Sequence, residues 1–254
     1  MRGAVCGGLL FAAICCGPAA VKKTEPALKI YALKYGESLY PAGLVNSDAP
    51  GKYVPLNWLA YLVETPSGKT LVDCGFSDAK LLKRFGIQKF KPVTRILKDL
   101  GISADKIDTI IITHTHFDHA LDVDKFPNAR IVLHAKEYAA PEEAALVNVL
   151  PKLKVETVSA PAVFGELSVE PVMGHTKGSL IVWLRARNTV FTGDECYFAA
   201  ACRKKIPLPA GAVFSADTNR RFIENLSPQA VILTGHETAL QNGRWLNGHV
   251  FLFL

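Results

Sequence analysis

Imidazoles and carboxylates recur along this chain in one spaced series: His114, His116, Asp118 and His119 in the run THTHFDHA, then His175, Asp194 and His236. These are the hard or borderline donors that hold zinc and similar divalent ions, so the fold has to bring four distant segments to one point. Seven donors exceed what one tetrahedral ion takes, whereas three apiece and one shared carboxylate serve two. Neutral imidazoles and carboxylates without paired thiolates suit a site that keeps a position for water. No cysteine pair has the Cys-x-x-Cys spacing of a structural zinc clip. The series therefore predicts a metal-dependent hydrolase with two divalent ions per chain. Zinc is the first expectation, and iron, manganese and cobalt accept the same donors.

Strand-like runs alternate with turns and helical stretches. Leu28 to Leu33, Trp58 to Glu64, Thr70 to Asp73, Thr109 to Thr113, Ala129 to Leu133, Leu167 to Val172, Ser179 to Leu184, Thr189 to Thr192 and Ala230 to Thr234 read as strands. Helices are expected over Asp78 to Arg84, over Val93 to Leu100 with Gly101 as the stop, and from a Ser215 cap to about Asn225. The pattern is mixed α/β. Each donor group lies just past the end of an expected strand, where a rigid sheet aims side chains from separate loops into one cleft.

With 254 residues, 49% of them hydrophobic, a single catalytic domain over 21–254 accounts for the chain. The formal charge is +6, but lysines and arginines are scattered apart from short clusters such as Arg203, Lys204 and Lys205. A solvated basic surface explains them, and no nucleic-acid partner is expected. Arg2, an apolar stretch from about Gly7 to Cys16, and the small residues Gly17 to Ala20 have the layout of a signal peptide over residues 1–20. The stretch is short of the ~20 apolar residues of a transmembrane span. Export to the periplasm or medium is the expectation. Cys15 and Cys16 stand where a bacterial lipoprotein carries its lipidated cysteine, behind an imperfect lipobox. Removal of the leader leaves Cys74, Cys196 and Cys202, an odd number that argues against a disulfide-built scaffold. Each is expected to be a small buried hydrophobe, with a Cys196–Cys202 bridge as the alternative. The apolar tail from His249 to Leu254 fits either a final core strand or a homodimer contact.

The motif H-x-H-x-D-H, followed by Gly-His, Gly-Asp and Gly-His, resembles the metallo-β-lactamase superfamily of dinuclear hydrolases. Leu71, Val72, Asp73, Cys74 and Gly75 resemble its early Leu-Val-Asp-x-Gly motif. The resemblance implies an αββα sandwich with the ions at one edge. It implies that His114, His116 and His175 hold one ion, that Asp118, His119 and His236 hold the other, and that Asp194 bridges them. Asp73 would orient a ligand histidine or the bridging water. His134 and His249 stay outside the series as ordinary histidines.

Asp194 turns the resemblance away from zinc β-lactamases, which generally lack a carboxylate there. Phe117 inside the metal motif and Tyr197 three residues after Asp194 resemble N-acyl homoserine lactonases, as does the run from Asn57 to Thr65. That likeness implies a small lactone or ester substrate attacked by a metal-bridging hydroxide. Phe117 would line the cleft, Tyr197 would hydrogen-bond the substrate carbonyl, and Asp118 would pass a proton to the leaving alkoxide. The alternatives are a thioesterase of glyoxalase II type, which resembles a longer chain with an added helical region, and a zinc β-lactamase. Leu121, Met173 and Lys177 depart from the family's usual Gly, Pro and Pro, in loops rather than at donors.

Overall fold

Strands that are apolar on both faces need cover on both sides, so runs such as Leu180 to Leu184 demand layers above and below them. The computed structural model describes residues 28–45 and 52–254, together with Met1 and Gly3. The expected leader and Cys15 and Cys16 lie outside the described residues. In chain order the strands are β1 (Lys29–Pro41), β2 (Tyr53–Thr65), β3 (Gly68–Val72), β4 (Thr109–Ile111), β5 (Arg130–His134), β6 (Lys154–Val158), β7 (Ala162–Phe164), β8 (Leu167–Pro171), β9 (Leu180–Leu184), β10 (Thr189–Phe191), β11 (Val231–Leu233), β12 (Gly243–Trp245) and β13 (Val250–Phe253). The helices are α1 (Ala79–Arg84), α2 (Val93–Asp99), α3 (Phe117–Ala120), α4 (Ala135–Ala139), α5 (Leu146–Val149), α6 (Ala199–Arg203) and α7 (Ala216–Asn225).

Eight strands form one sheet in the order β12-β13-β1-β2-β3-β4-β5-β6, and five form a second in the order β11-β10-β9-β8-β7. Strand alternation sorts their side chains. Ile30, Ala32, Leu59, Tyr61, Val63, Val72 and Ile111 face the second sheet, meeting Leu180, Val182, Leu184 and Phe191. Their neighbours Tyr31, Leu33, Trp58, Ala60, Leu62, Leu71 and Ile110 pack with Val93, Ile96 and Leu97 of α2. On the far face of the small sheet, Ile181, Trp183 and Val190 pack with Ile223 of α7. Helix, sheet, sheet and helix make four layers in one domain, as the resemblance implied.

Caps confirm two helix starts. Asp78 accepts from the backbone N–H of Lys80 and Leu81 at 2.9 Å, and Ser215 accepts from that of Thr218. Four features extend the expectations or choose among their alternatives. β1 and β2 pair over nearly their whole length through a register shift between Lys34 and Gly36, so the hairpin reaches well beyond Leu33. The tail is a core strand: β13 pairs with both β1 and β12. Met173, where the family usually has proline, takes φ 62°, which the proline ring forbids. Cys196 and Cys202 are joined as a disulfide with Cα atoms 6.1 Å apart, because the chain turns into α6 between them. Cys74 alone matches the expected buried thiol. Among the described residues, no helix is long and apolar enough to cross a membrane.

Candidate active site

β3 and β4 run parallel, as do β10 and β11, so the loops after them leave on one edge of the sandwich. The loop after β4 carries His114 and His116, α3 at its end carries Asp118 and His119, the β8–β9 connection carries His175, the turn after β10 carries Asp194, and the loop after β11 carries His236. All seven meet. His114, His116 and His175 form one cluster and Asp118, His119, Asp194 and His236 another, with donor atoms in each cluster within 4.8 Å of one another. Apart from half-buried His116, every one of these side chains is buried.

Hydrogen bonds decide which ring atoms are free. His175 Nδ1 donates to the Ala212 carbonyl at 2.7 Å, His236 Nδ1 to the Asn57 carbonyl at 3.1 Å, and His119 Nδ1 to Asp73 Oδ2 at 2.7 Å. Carbonyl and carboxylate oxygens only accept, so each Nδ1 carries a hydrogen, and in the neutral ring Nε2 is the nitrogen left with the lone pair. The Thr113 hydroxyl donates to Asp73 Oδ2 at 2.9 Å, so its oxygen accepts from His114 Nδ1 at 3.2 Å. His114 Nε2 is therefore bare too. Asp73 is thus the residue that fixes the His119 ring and, through Thr113, the His114 ring. Its backbone sits at φ 61° to do so.

Bare nitrogens then crowd together. His116 Nδ1 lies 3.0 Å from His114 Nε2 and 3.1 Å from His175 Nε2. Burial, and after it the neighbouring imidazoles, holds His114 and His116 below the usual imidazole range, which favours a neutral lone pair on each of these two rings. In the second cluster His119 Nε2 and His236 Nε2 each face Asp118 Oδ2 at 3.3 Å. They face Asp194 Oδ1 at 3.3 and 3.4 Å. His119 Nε2 and Asp194 Oδ1 are buried without a hydrogen-bond partner. Burial opposes charging the two rings, but Asp118 and Asp194 outweigh it and raise His236 to about 9 and His119 well above its ordinary value. Both clusters ask for positive charge between the donors, and the donor set fits two divalent cations. Asp194 reaches both, since its Oδ2 lies 3.8 Å from His175 Nε2.

The clusters floor a cleft of about 560 Å³. Tyr197 lines it, its ring stacked on His236 with centroids 5.3 Å apart. Burial, with the Asp194 charge second, pushes the Tyr197 phenol well above its ordinary value, so it stays a donor. Phe117 also lines the cleft, stacked on Phe85 at 4.5 Å and edge-on to Phe76 at 5.0 Å. Tyr40, Leu56 and Trp58 continue that apolar wall. Of the loop departures, Lys177 pairs with Glu142 at 3.2 Å and Leu121 packs on the core beside Phe117. Two buried glutamates, Glu137 and Glu195, adjoin the site without a hint from the donor series. The only signal for Glu195 was its place beside Asp194 in the run DECYF.

Two packed sheets with seven converging donors at one edge define a dinuclear metal-dependent hydrolase. Residues 55–236 match the family described as the Metallo-beta-lactamase superfamily, and the chain belongs to it. It is 26% identical over 241 residues to the N-acyl homoserine lactonase AiiA of Bacillus thuringiensis subsp. kurstaki, covering 82% of this chain and 93% of that one. An N-acyl homoserine lactone hydrolase, solved with N-hexanoyl-L-homoserine bound at its catalytic metal centre, superposes with a TM-score of 0.71 at 25% identity, covering 82% and 93% of the two chains. A hydroxyacylglutathione hydrolase of Cereibacter sphaeroides is 30% identical over 153 residues, covering 59% of this chain and 56% of its own.

Proposed function

We propose that the protein opens the lactone ring of N-acyl homoserine lactones, releasing the N-acyl homoserine acid. The observation that carries this reading is Asp194 set between the two donor clusters, beneath Tyr197, on the floor of an aromatic-walled cleft. The lactonase relatives, matched across most of both chains, support it. Zinc is the proposed ion, held by His114, His116 and His175 on one side and by Asp118, His119 and His236 on the other, with Asp194 between. When bound, two such ions lower the pKa of water toward about 7 and stabilise charge on a carbonyl oxygen.

The chain's own residues do the rest. Trp58, Phe85 and Phe117 offer an apolar wall to an acyl chain, and Tyr197 donates to the carbonyl oxygen as it gains charge. Asp118 takes a proton from the attacking water and gives it to the departing ring oxygen. Tyr197→Phe is expected to lower kcat on the order of 100-fold, the effect of one lost oxyanion donor, with ion content unchanged. Kinetics beside elemental analysis check it, and full activity removes Tyr197 from the mechanism.

The decisive experiment is proton release from an N-acyl homoserine lactone with and without chelator, alongside thioester, β-lactam and phosphodiester substrates. Ring opening produces an acid, so release from the lactone that chelator abolishes supports the reading. Faster turnover of the thioester or β-lactam replaces it with one of the alternative hydrolases. Export is part of the proposal, resting on Arg2 and the apolar run that follows it. An N-terminal mass that retains residues 1–20 on the exported protein, or its absence from exported fractions, removes that part.

A further inference from the structure

Two carboxyl groups that the proposed reaction does not use are completely buried beside the three-imidazole cluster. Glu137 on α4 and Glu195 in the turn after β10 are both 0% exposed. Among the described residues, neither forms an ion pair with a lysine, arginine or histidine. Each is surrounded by donors instead.

Glu137 Oε2 accepts from the Thr115 backbone N–H at 3.0 Å and from the Thr115 hydroxyl, while Oε1 accepts from the Thr176 hydroxyl at 2.7 Å and the Gly178 N–H at 3.0 Å. Thr115 lies between His114 and His116, and Thr176 follows His175. One carboxylate thus touches a neighbour of every donor in the cluster. Glu195 works from the other side. Its Oε1 accepts from the N–H groups of Gly174 and His175, both at 3.0 Å, and from the Ser179 hydroxyl at 2.5 Å. Its Oε2 accepts from Asn219 Nδ2 at 2.8 Å. The segment from Gly174 to Ser179, which carries His175, is gripped at both ends. Glycine permits the approach: a Cβ on Gly178 would lie 2.7 Å from Glu137 Cγ, and one on Gly174 would strike Glu195 Oε2.

Burying a carboxylate without a cation is costly, and the four donors around each of these two are what offset that cost. A fully satisfied network of this kind confers rigidity and a unique geometry. We propose that Glu137 and Glu195 are positioning residues that set the affinity of the ion held by His114, His116 and His175. Neither glutamate supports the rings of His119 and His236, which are held through Asp73 and the Asn57 carbonyl, although Asp73 also reaches His114 through Thr113. The proposal rests on the two-ion reading and is independent of the substrate.

The two glutamines should differ. In Glu137→Gln, whichever way the amide turns, its NH2 faces a backbone N–H, that of Thr115 or that of Gly178. In Glu195→Gln the amide oxygen keeps the three donors of Oε1 and loses only Asn219, whose own Oδ1 is engaged by the Leu208 N–H at 3.0 Å. Full-length protein loaded with zinc is dialysed against stepped concentrations of chelator, and its zinc content is measured together with the melting temperature of the metal-free form. Glu137→Gln is expected to release one zinc at a chelator concentration about 10 to 100-fold lower than wild type, the usual cost of losing such support. The other zinc stays at wild-type resistance, and kcat falls with KM unchanged. Glu195→Gln shows a smaller shift of the same zinc. Wild-type retention of both ions with a lowered metal-free melting temperature would make the glutamates ordinary core residues and overturn the proposal. Equal weakening of both ions overturns it as well. If Glu137→Gln does not fold, Thr176→Val removes one donor and keeps the shape. A few-fold earlier loss of one zinc is then expected, and an unchanged profile overturns the proposal. Wild type binding fewer than two ions would be a different failure, that of the two-ion reading itself.

Discussion

Asp194→Ala is expected to give a folded protein that holds no more than one divalent ion per chain and opens lactones at least about 1,000-fold more slowly. Asp194 is the one carboxylate that reaches both clusters, with Oδ1 at 3.3 and 3.4 Å from the bare nitrogens of His119 and His236 and Oδ2 at 3.8 Å from that of His175. Its removal strips negative charge from between the two ion positions. Metal stabilisation of developing charge is worth several kcal/mol, and three factors of ten correspond to about 4 kcal/mol. Folding should survive, because the sheets are held by the apolar layers and, among the described residues, the Asp194 carboxylate accepts no hydrogen bond from a strand residue. Without its charge, His119 and His236 lose one cause of their raised pKa, but that gain in neutral imidazole does not replace the carboxylate donor the second ion loses. Elemental analysis and kinetics on the same preparation decide it. Two ions with near wild-type turnover would remove Asp194 from the centre.

The donor series was legible because each member follows a strand whose apolar run is unmistakable, and because metal donors are residue types that seldom sit together at strand ends for any other reason. Thr109 to Thr113 shows this: it forms β4 over Thr109–Ile111, and the run ends one residue before His114. The second sheet was a different matter: a continuous apolar run such as Leu180 to Leu184 reports that a strand is buried on both faces, not which sheet covers it. That part came from the resemblance. β6 and β7 escaped notice because Lys154, Glu156 and Val163 are exposed and their runs lack a continuous apolar face. Gly36, Glu37 and Ser38 hid the outer half of β1, which continues only because the shift at Lys34 restores its pairing with β2.

Glu137 and Glu195 escaped for a physical reason. A buried glutamate is recognisable only by its donors, and Thr115, Thr176 and Gly178 stand 22, 39 and 41 positions from Glu137. A solvated glutamate on a short helix has the same local sequence. The disulfide was equally hidden, since a six-residue spacing fits a bridge or two separate buried thiols until the turn into α6 is known. Tyr197 was found beside Cys196 only through the spacing from Asp194.

Asp118→Asn is expected to lower kcat for an oxygen lactone by about 10²- to 10⁴-fold, the contribution of a positioned proton carrier, while KM changes little. The side chain lines the cleft and lies 3.3 Å from the bare nitrogens of both His119 and His236. Burial opposes its ionisation, yet those two rings hold its carboxyl well below the usual carboxylate range, so it starts as a proton acceptor. Asparagine keeps the shape and an oxygen facing the same rings, but it cannot accept a proton and pass it on. The leaving group tests that role directly. An alkoxide needs a proton to depart, whereas a thiolate, with a conjugate thiol near pKa 8.5, departs with little help. The matching homoserine thiolactone should therefore recover much of the lost rate in Asp118→Asn, and the ratio of the two deficits measures the proton transfer alone. Equal loss on both substrates, or loss of one bound ion accompanying it, would show that Asp118 serves only to hold metal.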